Sequence, residues 1–399
     1  MIWFSAATVL LACLGLLQCF AGWIAARRFA ASPGPQLQRH PPITILRPLC
    51  GDEPLLEEAL VSCCRQAYPA FQIVFGVQNP SDAALAVVER VKARFPDSDI
   101  AVVVDSTLHG QNRKIGNLIN MLPSARHQIL VISDSDLQLS PDYLERLLVE
   151  LEKPGTGLVT ALYAGFPPPE QGWLLRLGAT QINHTFLPGV LVSRMLGRQD
   201  NLGSTVMLRR DTLEQAGGLG ALAHVLAEDN VLGMSVRDLG LKVGLADTVT
   251  LATVPESSFR ALWLHELRWT RTIRAVAPIS LIASTIQYPL FWAAITVVLG
   301  GGALWSIALF IACWMVRAIS AREIDRALRH RTGRSQVCVP AWLLPLRDML
   351  SVAEIGASFW IDNVVWRGHS LDATVAAPRA PSVPMTPPQQ QAWGGSTAN

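Results

Sequence analysis

The sequence predicts an α/β protein with a mostly parallel central sheet, flanked by transmembrane helices. One supporting observation is that short β-branched runs alternate with amphipathic segments, which is the pattern of βαβ units. The other is that 50% of the 399 residues are hydrophobic, only 16% are charged, and the mean hydropathy is +0.30. A soluble chain of this size is rarely so apolar, so membrane segments are expected.

Net charge and cysteine content exclude two further classes of protein. The net charge is +2, which gives no indication of a nucleic-acid partner. The seven cysteines form no C-x-x-C pair, so they predict thiols in a reducing compartment rather than a metal cluster.

Residues 1–26 are predicted to form a transmembrane anchor. The stretch from Ile2 to Ala25 carries no charge, and as a helix it would span about 36 Å, enough to cross a bilayer. Arg27 and Arg28 follow directly and favour a cytoplasmic location for this end. A cleaved signal peptide would carry its positive charge before the apolar core, so an uncleaved anchor is predicted.

Residues 40–277 are predicted to form a cytoplasmic α/β domain of the nucleotide-binding type. Apolar runs predict strands at residues 43–46, 71–77, 100–104, 129–132, 157–165 and 202–208. Amphipathic segments predict helices at residues 54–65, 81–94, 114–122, 173–187, 211–217, 227–239 and 257–275. Ser140 and Pro141 are predicted as the cap and first residue of a helix after the fourth strand, and Asp211 as the cap of its short helix.

Residues 279–370 are predicted to be a C-terminal membrane region. Its first 38 residues are free of charge, and Gly300–Gly302 divides them into two predicted membrane helices. Six arginines and two acids lie between Arg317 and Arg334, which places both ends of the helix pair in the cytoplasm.

A third apolar segment, residues 341–366, contains charges that a lipid-exposed span would not tolerate. These charges are Arg347, Asp348, Glu354 and Asp362. The segment is therefore expected to be a polar-lined span, a re-entrant piece or an interfacial helix. Residues 371–399 are rich in Pro, Gln, Ser and Ala and predict a disordered tail.

Two carboxylates, Asp134 and Asp136, follow the strand at residues 129–132 and precede a predicted helix. Ligands of open α/β sheets bind at the carboxyl ends of the strands. Two such carboxylates can hold Mg²⁺ or Mn²⁺, and the cation can in turn hold a diphosphate. Taken alone, a D-S-D segment is better explained as two turn-forming Asp residues after a strand, so the flanking residues must decide.

Four further positions carry candidate chemistry, and each can also be explained by a structural role. Asp82 follows the second strand and can instead cap the next helix, and Lys114 in G-Q-N-R-K-I-G-N can be a surface lysine. Glu228 and Asp229 begin a helix, where acids are favoured by the helix dipole. The Arg268–Trp269 pair in H-E-L-R-W can lie at a membrane interface.

In their order and spacing these motifs resemble those of the membrane-bound inverting glycosyltransferases that include ceramide glucosyltransferase. That family carries an Asp after the second strand, a D-x-D or D-S-G turn, an E-D pair and a Q/R-x-x-R-W motif. Asp82, Asp134, Asp229 and Arg268–Trp269 match these in order, with His265 at the first position of the last motif. The resemblance covers about residues 40–370 and implies a GT-A type nucleotide-sugar-binding domain.

The resemblance also implies a role for each matched residue. Asp229 is expected to be the general base; Asp82, Lys114, Asp134 and Arg268 to bind the donor; Trp269 and His265 to bind the acceptor; and Asp134 and Asp136 to bind Mg²⁺ or Mn²⁺. His184 and His265 are expected to be structural polar residues rather than metal ligands, because no second ligand lies at a suitable spacing.

Within the family, the sequence is most similar to the hopanoid-biosynthesis glycosyltransferases, through residues 181–184, 197–200 and 265–269. This likeness implies transfer of N-acetylglucosamine from its UDP-sugar to bacteriohopanetetrol, by a multi-pass inner-membrane protein whose catalytic domain is cytoplasmic. The first alternative is a ceramide glucosyltransferase that uses UDP-glucose.

Two further functions are less favoured. Three or four membrane segments are too few for the channel of a processive polysaccharide synthase. An inactive membrane scaffold would be expected to lack acids at Asp134, Asp136 or Asp229, and all three are present.

Overall fold

The computed structural model describes residues 2–35, 37–168, 172–334, 340–360, 363–366 and 369–372. One eight-stranded sheet organises the α/β domain. Its strands are β1 (Ile43–Pro48), β2 (Phe71–Val77), β3 (Ile100–Val104), β4 (Ile129–Ser133), β5 (Leu137–Gln138), β6 (Thr156–Phe166), β7 (Thr205–Arg209) and β8 (Lys242–Thr253). They lie side by side in the order β3-β2-β1-β4-β7-β6-β8-β5. A separate antiparallel pair joins β9 (Asn363–Trp366) to β10 (His369–Asp372).

The sheet is parallel from β3 through β4 and again between β6 and β8. Strand β7 runs antiparallel to both of its neighbours, and β5 runs antiparallel to β8. The predicted mostly parallel sheet is therefore confirmed, with β7 and the short β5 running opposite to the other strands.

Helices cover both faces of the sheet and bury two apolar cores. On one face lie α2 (Leu56–Cys64), α3 (Ala84–Arg94) and α5 (Tyr143–Leu151), whose buried side chains include Leu60, Val88 and Leu147. On the other face lie α4 (Arg113–Met121), α8 (Arg210–Gln215) and α9 (Glu228–Asp238), which contribute Leu118, Leu213 and Val236. This three-layer arrangement follows from strands that are apolar on both faces.

Strand β8 and the short β5 are absent from the sequence-based prediction. Polar residues interrupt the apolar pattern of β8, and the register with β6 shifts between Ala246 and Val249. A bulge of this kind breaks the alternation on which strand prediction depends. Yet β8 is the longest strand of the sheet, at 12 residues.

Two predicted helix caps are wrong. Helix α5 begins at Tyr143, and the hydroxyl of Ser140 donates to Asp142 Oδ1 at 2.7 Å rather than accepting from a backbone amide. Asp211 lies inside the first turn of α8, where its Oδ1 accepts from the backbone N–H of Thr212. Both side chains form local turns, which compete with capping for the same residue types.

The predicted helix at residues 173–187 is part of a longer helical rod. It consists of α6 (Trp173–Gln181), a π-helical turn (Ile182–Phe186) and α7 (Leu187–Met195). Single π-turns inside α-helices occur often at functional positions.

Among the residues that the structure describes, two helices are long and apolar enough to cross a membrane, namely α1 (Ile2–Ala30) and α13 (Leu304–Thr332). Helices α11 (Pro278–Ala283) and α12 (Pro289–Leu299) would add a third span if counted together, but they meet at an angle of 73°. The chain breaks at Tyr288, with φ −110° and ψ 69°, because Pro289 disfavours helical backbone in the preceding residue.

These bounds correct three predictions. Residues 279–316 do not form two straight membrane helices, although the division at Gly300–Gly302 is confirmed. Helix α13 continues past Val316, so the arginine cluster begins on the helix itself. Helix α1 extends past residue 26 and includes Arg27 and Arg28.

The charged third segment forms α14 (Leu344–Ala357), which packs within the protein. At 14 residues it is about 21 Å long, too short to cross a bilayer core of about 30 Å. The Arg347 guanidinium is fully buried and donates to both carboxylate oxygens of Glu266 at 3.0 and 2.9 Å and to Glu354 at 3.1 Å. Glu266 belongs to α10 (Phe259–Val276), so this ion-pair network joins α14 to the α/β domain. Of the three predicted forms, a polar-lined span does not fit this length, and the re-entrant piece and the interfacial helix stay predictions.

The predicted tail, residues 371–399, lies mostly outside the described residues. Only Leu371 and Asp372 are described, and they belong to β10 rather than to a tail. Asp362 also lies outside the described residues.

Replacing Arg347 by Met should destabilise the protein strongly, because two buried carboxylates would lose their partner. We expect a loss of about 3–5 kcal/mol, the usual result of breaking a buried ion pair from one side. Thermal unfolding in detergent measures it. As the matched control, Arg326→Met removes an exposed pair with Glu323 and should change stability by less than about 1 kcal/mol. Equal effects of the two substitutions would contradict a stabilising role for the buried network.

Candidate active site

Lys114 connects the two acidic segments at the carboxyl edge of the sheet. Strand β4 ends at Ser133, so Asp134 lies just beyond the edge, and its amide donates to the carbonyl of Ser204 at 3.0 Å. Lys114 Nζ lies 2.7 Å from Asp134 Oδ1 and 3.4 Å from Glu228 Oε1. Burial would lower the pKa of Lys114, but these two carboxylates outweigh it and hold the pKa above its ordinary value. Lys114 is therefore a fixed cation and not a surface lysine.

Asp229 lies against the backbone of Gly203, which begins the approach to β7. Gly203 has φ +81°, and a Cβ added there would lie 2.5 Å from Asp229 Oδ2, so only glycine allows this approach. Asn201 donates from Nδ2 to the Asp229 carbonyl at 3.0 Å and fixes the start of α9. Burial and the adjacent Glu228 carboxylate raise the pKa of Asp229 to about 6. A carboxylate with that pKa is suited to accept a proton near neutral pH.

Glu228 and Asp229 are thereby distinguished by their surroundings. The Glu228 carboxylate accepts from Lys114 and, at 3.2 Å, from Asn112 Nδ2. Asp229 accepts from the backbone N–H of Asn230 at 2.7 Å. Because Glu228 is held by two side-chain donors, Asp229 is the better candidate for the base.

Asp136 lies in an excess of negative charge. Burial together with Asp134 and Glu53 raises the pKa of Asp136 to about 7, and Arg47 opposes that rise. Glu53 Oε2 accepts from the Ser135 hydroxyl at 2.6 Å, which places this acid at the same turn. Glu53 was not predicted as part of the site.

Arg47 supports the D-S-D turn from behind and was also absent from the predicted site. Its side chain is fully buried on β1, and Nη2 donates to the carbonyls of Ser135 at 3.1 Å and of Leu137. These carbonyls belong to the residues on either side of Asp136. The available signal was an arginine inside an otherwise apolar strand, because a buried charge requires specific partners.

Asn112 is a third residue of the site that its sequence context does not reveal. Its Oδ1 caps α4 by accepting from Ile115 N at 3.1 Å, and its Nδ2 also donates to the carbonyl of Val225 at 2.9 Å. This side chain joins the start of α4, which carries Lys114, to the segment that precedes Glu228.

Asp82 lies just beyond β2, at the same edge of the sheet. Its Oδ1 accepts from the backbone N–H of Ala84 at 2.9 Å and of Gly51 at 2.8 Å. Asp82 therefore caps the helix that follows it. Its hydrogen bond with Gly51 also ties the loop after β1 to the loop after β2.

The H-E-L-R-W motif lies on α10. His265 and Trp269 form an edge-on ring contact with centroids 4.3 Å apart, and Trp269 and Tyr163 both pack against a small apolar cluster that includes Val254. Burial raises the pKa of the Tyr163 phenol, as do Asp229, Asp134 and Asp136 nearby, and Arg268 opposes them. Tyr163, another residue not predicted, is thus near enough for both the acids and Arg268 of the motif to affect its pKa.

His184 lies away from the acids, at the junction with the membrane helices. Its Nε2 lies 2.7 Å from Asp325 Oδ1 of α13, and its carbonyl accepts from Arg317 at 2.9 Å. Both contacts are buried, as expected of a structural polar residue.

Asp134 and Asp136 fit a divalent cation that also binds a ligand. Within the described part of the chain, no group of three or more His, Cys, Asp or Glu residues could hold a metal by itself. Mg²⁺ in nucleotide sites is commonly held by one or two carboxylates together with the phosphates of the substrate. Burial and the nearby Asp134 and Glu53 carboxylates raise the pKa of Asp136, and a cation bound at this turn would oppose that rise.

Known proteins are similar to this chain in sequence or in fold. The profile of the family described as Glycosyl transferase family 21 matches residues 5–376. Ceramide glucosyltransferase 1 of Caenorhabditis elegans is 22% identical over 256 residues, 64% of this chain and 54% of that protein. Ceramide glucosyltransferase of Candida albicans is 28% identical over 121 residues, 27% of this chain and 22% of that protein. The chain thus spans about half the length, or less, of these curated relatives.

Among solved structures, a mannosyltransferase from Pyrobaculum calidifontis, in complex with GDP-Man and Mn²⁺, has a similar fold. It is 17% identical, the match covers 90% of this chain and 99% of that one, and the TM-score is 0.51. The predicted GT-A type α/β fold is confirmed by this likeness.

Replacing Lys114 by Gln should destabilise the protein more at pH 8 than at pH 5.5. The variant leaves Asp134, Glu228 and Asp229 close together without their cation, a loss of roughly 1–3 kcal/mol. Lys114 itself stays charged across this range because its pKa is raised, so the pH dependence comes from Asp229. Its pKa is about 6, so it is ionised at pH 8 and largely protonated at pH 5.5. Thermal unfolding in EDTA measures the difference. A loss that is the same at both pH values would contradict the proposed charge balance.

Proposed function

The chain belongs to glycosyl transferase family 21, and on that premise we propose that it transfers a sugar from a UDP-sugar to a hydroxyl of a membrane lipid. The observation that carries the proposal is the cluster of Asp134 and Asp229 around Lys114, with Asp136 next to Asp134, beside a helix that leads into the membrane region. Such a site can bind a diphosphate and deprotonate a hydroxyl at the bilayer surface.

The donor would bind across the carboxyl edge of the sheet. Asp134 and Asp136 would hold Mg²⁺ or Mn²⁺, which supplies positive charge for the diphosphate leaving group. Lys114 and Arg268 would add positive charge beside the same group. Asp82 would accept from the uracil or the ribose through Oδ2, since Oδ1 already caps α3.

The chemical step proposed is a single displacement with inversion. The acceptor oxygen forms a bond to the anomeric carbon as the bond from that carbon to the diphosphate breaks, and UDP leaves with the electron pair. Asp229 takes the proton of the acceptor hydroxyl, since its raised pKa lets it act as a base near neutral pH. Trp269 would pack against the acceptor, and His265 would bind it.

For the substrates, we propose N-acetylglucosamine as the sugar and bacteriohopanetetrol as the acceptor, because residues 181–184, 197–200 and 265–269 resemble those of the hopanoid enzymes. A second candidate is glucosylation of ceramide, which is favoured by the names of the curated relatives. Both acceptors are lipids that carry more than one hydroxyl.

We place the catalytic region at the cytoplasmic face of the inner membrane. The support is the position of Arg27, Arg28 and the arginines of α13 beyond the apolar parts of the two long helices. A reporter fused after residue 150 that reports the outer face would overturn this orientation.

The substrate proposal is tested by incubating the purified full-length protein with labelled UDP-N-acetylglucosamine or UDP-glucose. Each donor is offered with bacteriohopanetetrol and with ceramide in detergent, and the lipids are separated by thin-layer chromatography. Transfer of N-acetylglucosamine to the hopanoid supports the first candidate. Glucosylation of ceramide alone would replace it with the second, and no labelled lipid in any combination would reject both.

Activity should require a divalent cation, because Asp134, Asp136 and a diphosphate would otherwise repel one another. We expect excess EDTA to abolish transfer, and Asp136→Ala to lower kcat/KM by about 100-fold or more, as for loss of an electrostatic clamp. Label transfer with and without added Mg²⁺ or Mn²⁺ measures both effects. The exposed Asp238→Ala, at the far end of α9, serves as the control. Full activity in EDTA would contradict the metal requirement.

Asp229→Asn should leave UDP-sugar binding intact and lower kcat by about 100-fold or more, the usual contribution of a general base. In the unmodified protein the rate should fall as the pH drops below about 6, because the base is then protonated. Rate–pH profiles and donor binding measure the two effects. Glu228→Gln is the matched control and should retain the acid limb of the profile. An inactive Glu228→Gln with an active Asp229→Asn would reverse the two roles.

A further inference from the structure

A buried carboxylate orients the histidine of the H-E-L-R-W motif. Glu256, in the segment between β8 and α10, forms a hydrogen bond through Oε1 with Nδ1 of His265. The Glu256 side chain is only 7% exposed, whereas that of His265 is 28% exposed and within reach of a ligand. A carboxylate on Nδ1 fixes the tautomer and the ring plane, and it leaves Nε2 as the nitrogen for a further partner.

The helix face that carries His265 packs on the same apolar cluster as Tyr163, a neighbour of the acids. His265, Arg268 and Trp269 share one face of α10, because they are three and four residues apart. Trp269 contacts His265, and Trp269 and Tyr163 pack against the same apolar cluster around Val254. Tyr163 is near enough to Asp229 for that carboxylate to raise its pKa. His265 is therefore close enough to contact the part of an acceptor that extends beyond the reacting hydroxyl.

We propose that His265 Nε2 accepts a hydrogen bond from a second hydroxyl of the lipid acceptor, and that Glu256 is the positioning residue for this contact. The inference rests on the proposed lipid glycosyl transfer. An acceptor with neighbouring hydroxyls can present either one to Asp229, and fixing one of them selects the other for reaction. Glu256 thus contributes to which hydroxyl receives the sugar, without touching the substrate itself.

The chemistry of the pair suits this role. When Nδ1 donates to Glu256, Nε2 is an acceptor and can receive a hydroxyl proton in a hydrogen bond. The ring edge against Trp269 presents apolar surface beside the polar nitrogen, which matches a lipid head group joined to an apolar body. A purely structural role for the pair would hold the start of α10 but would not depend on the chemistry of the acceptor.

The first experiment is Glu256→Gln in the full-length protein, assayed with both labelled UDP-sugars and with bacteriohopanetetrol and ceramide. We expect the acceptor KM to rise about tenfold, the size of one lost neutral hydrogen bond. The donor KM and acceptor-independent release of UDP should stay within about twofold. The sugar should also appear on a second hydroxyl of the lipid, detected by mass spectrometry of the products.

The chain offers a matched control in another histidine–glutamate pair. His40 Nε2 lies 3.4 Å from Glu145 Oε1 at the surface, away from the acids. Glu145→Gln should change neither the acceptor KM nor the distribution of products. Thermal unfolding of all variants separates loss of folding from loss of binding.

The second experiment repeats Glu256→Gln in a His265→Gln background. If Glu256 acts through the imidazole, its substitution should then change the acceptor KM by less than about twofold. If Glu256→Gln does not fold, His265→Gln alone tests the contact and should produce the same loss of hydroxyl selectivity. Failure of the unmodified protein to transfer sugar to either lipid would reject the proposed function. Active transfer with an unchanged acceptor KM and a single product in both variants would overturn the inference about Glu256 and His265.

Discussion

The crowding of carboxylates at one edge of the sheet is the constraint on which the rest of the site depends. Asp134, Asp136, Glu228 and Asp229 arrive from two distant segments, and like charges at this range repel strongly in partly buried surroundings. Lys114 lies between the two segments, and Arg47 supports the turn around Asp136 from within the sheet. Both cations therefore have to be in place before the acids can be held together.

Two carboxylates of this arrangement, Asp136 and Asp229, are the ones proposed to act on the substrates. The pKa values of Asp136 and Asp229 are both raised, so the folded protein disfavours the ionised form of each acid. A divalent cation bound with the donor would favour the ionised form of Asp136. The proton of an acceptor hydroxyl would neutralise Asp229. Perturbed carboxylates that destabilise the empty fold are typical of sites that gain stability from their ligands.

A second set of buried charges ties this edge to the membrane region. Glu266 pairs with Arg347 of α14, and Asp348 of α14 pairs with Arg317 of α13 at 3.5 Å. A buried charge is tolerated only with its partner. The first pair therefore fixes the packing of α10 against α14, and the second fixes the packing of α14 against α13. The residues on either side of Glu266 along α10 include His265 and Trp269, so one helix both anchors in the membrane region and faces the acids.

The sequence by itself determined the elements whose signals are local. Charge-free stretches predicted helices α1 and α13, and β-branched runs predicted six of the eight strands of the main sheet, β2 and β3 with their observed bounds. Asp134, Lys114 and Asp229 were found because each lies just after a strand or at the start of a helix. Only the tertiary structure decided the contacts among residues far apart in the chain. Arg47 beneath the D-S-D turn, Glu256 behind His265 and Arg347 between two glutamates are each defined by a partner that sequence spacing does not indicate. Their pairing follows from the cost of leaving a charge unpartnered in a packed interior, which acts through space and leaves no periodic signal along the chain.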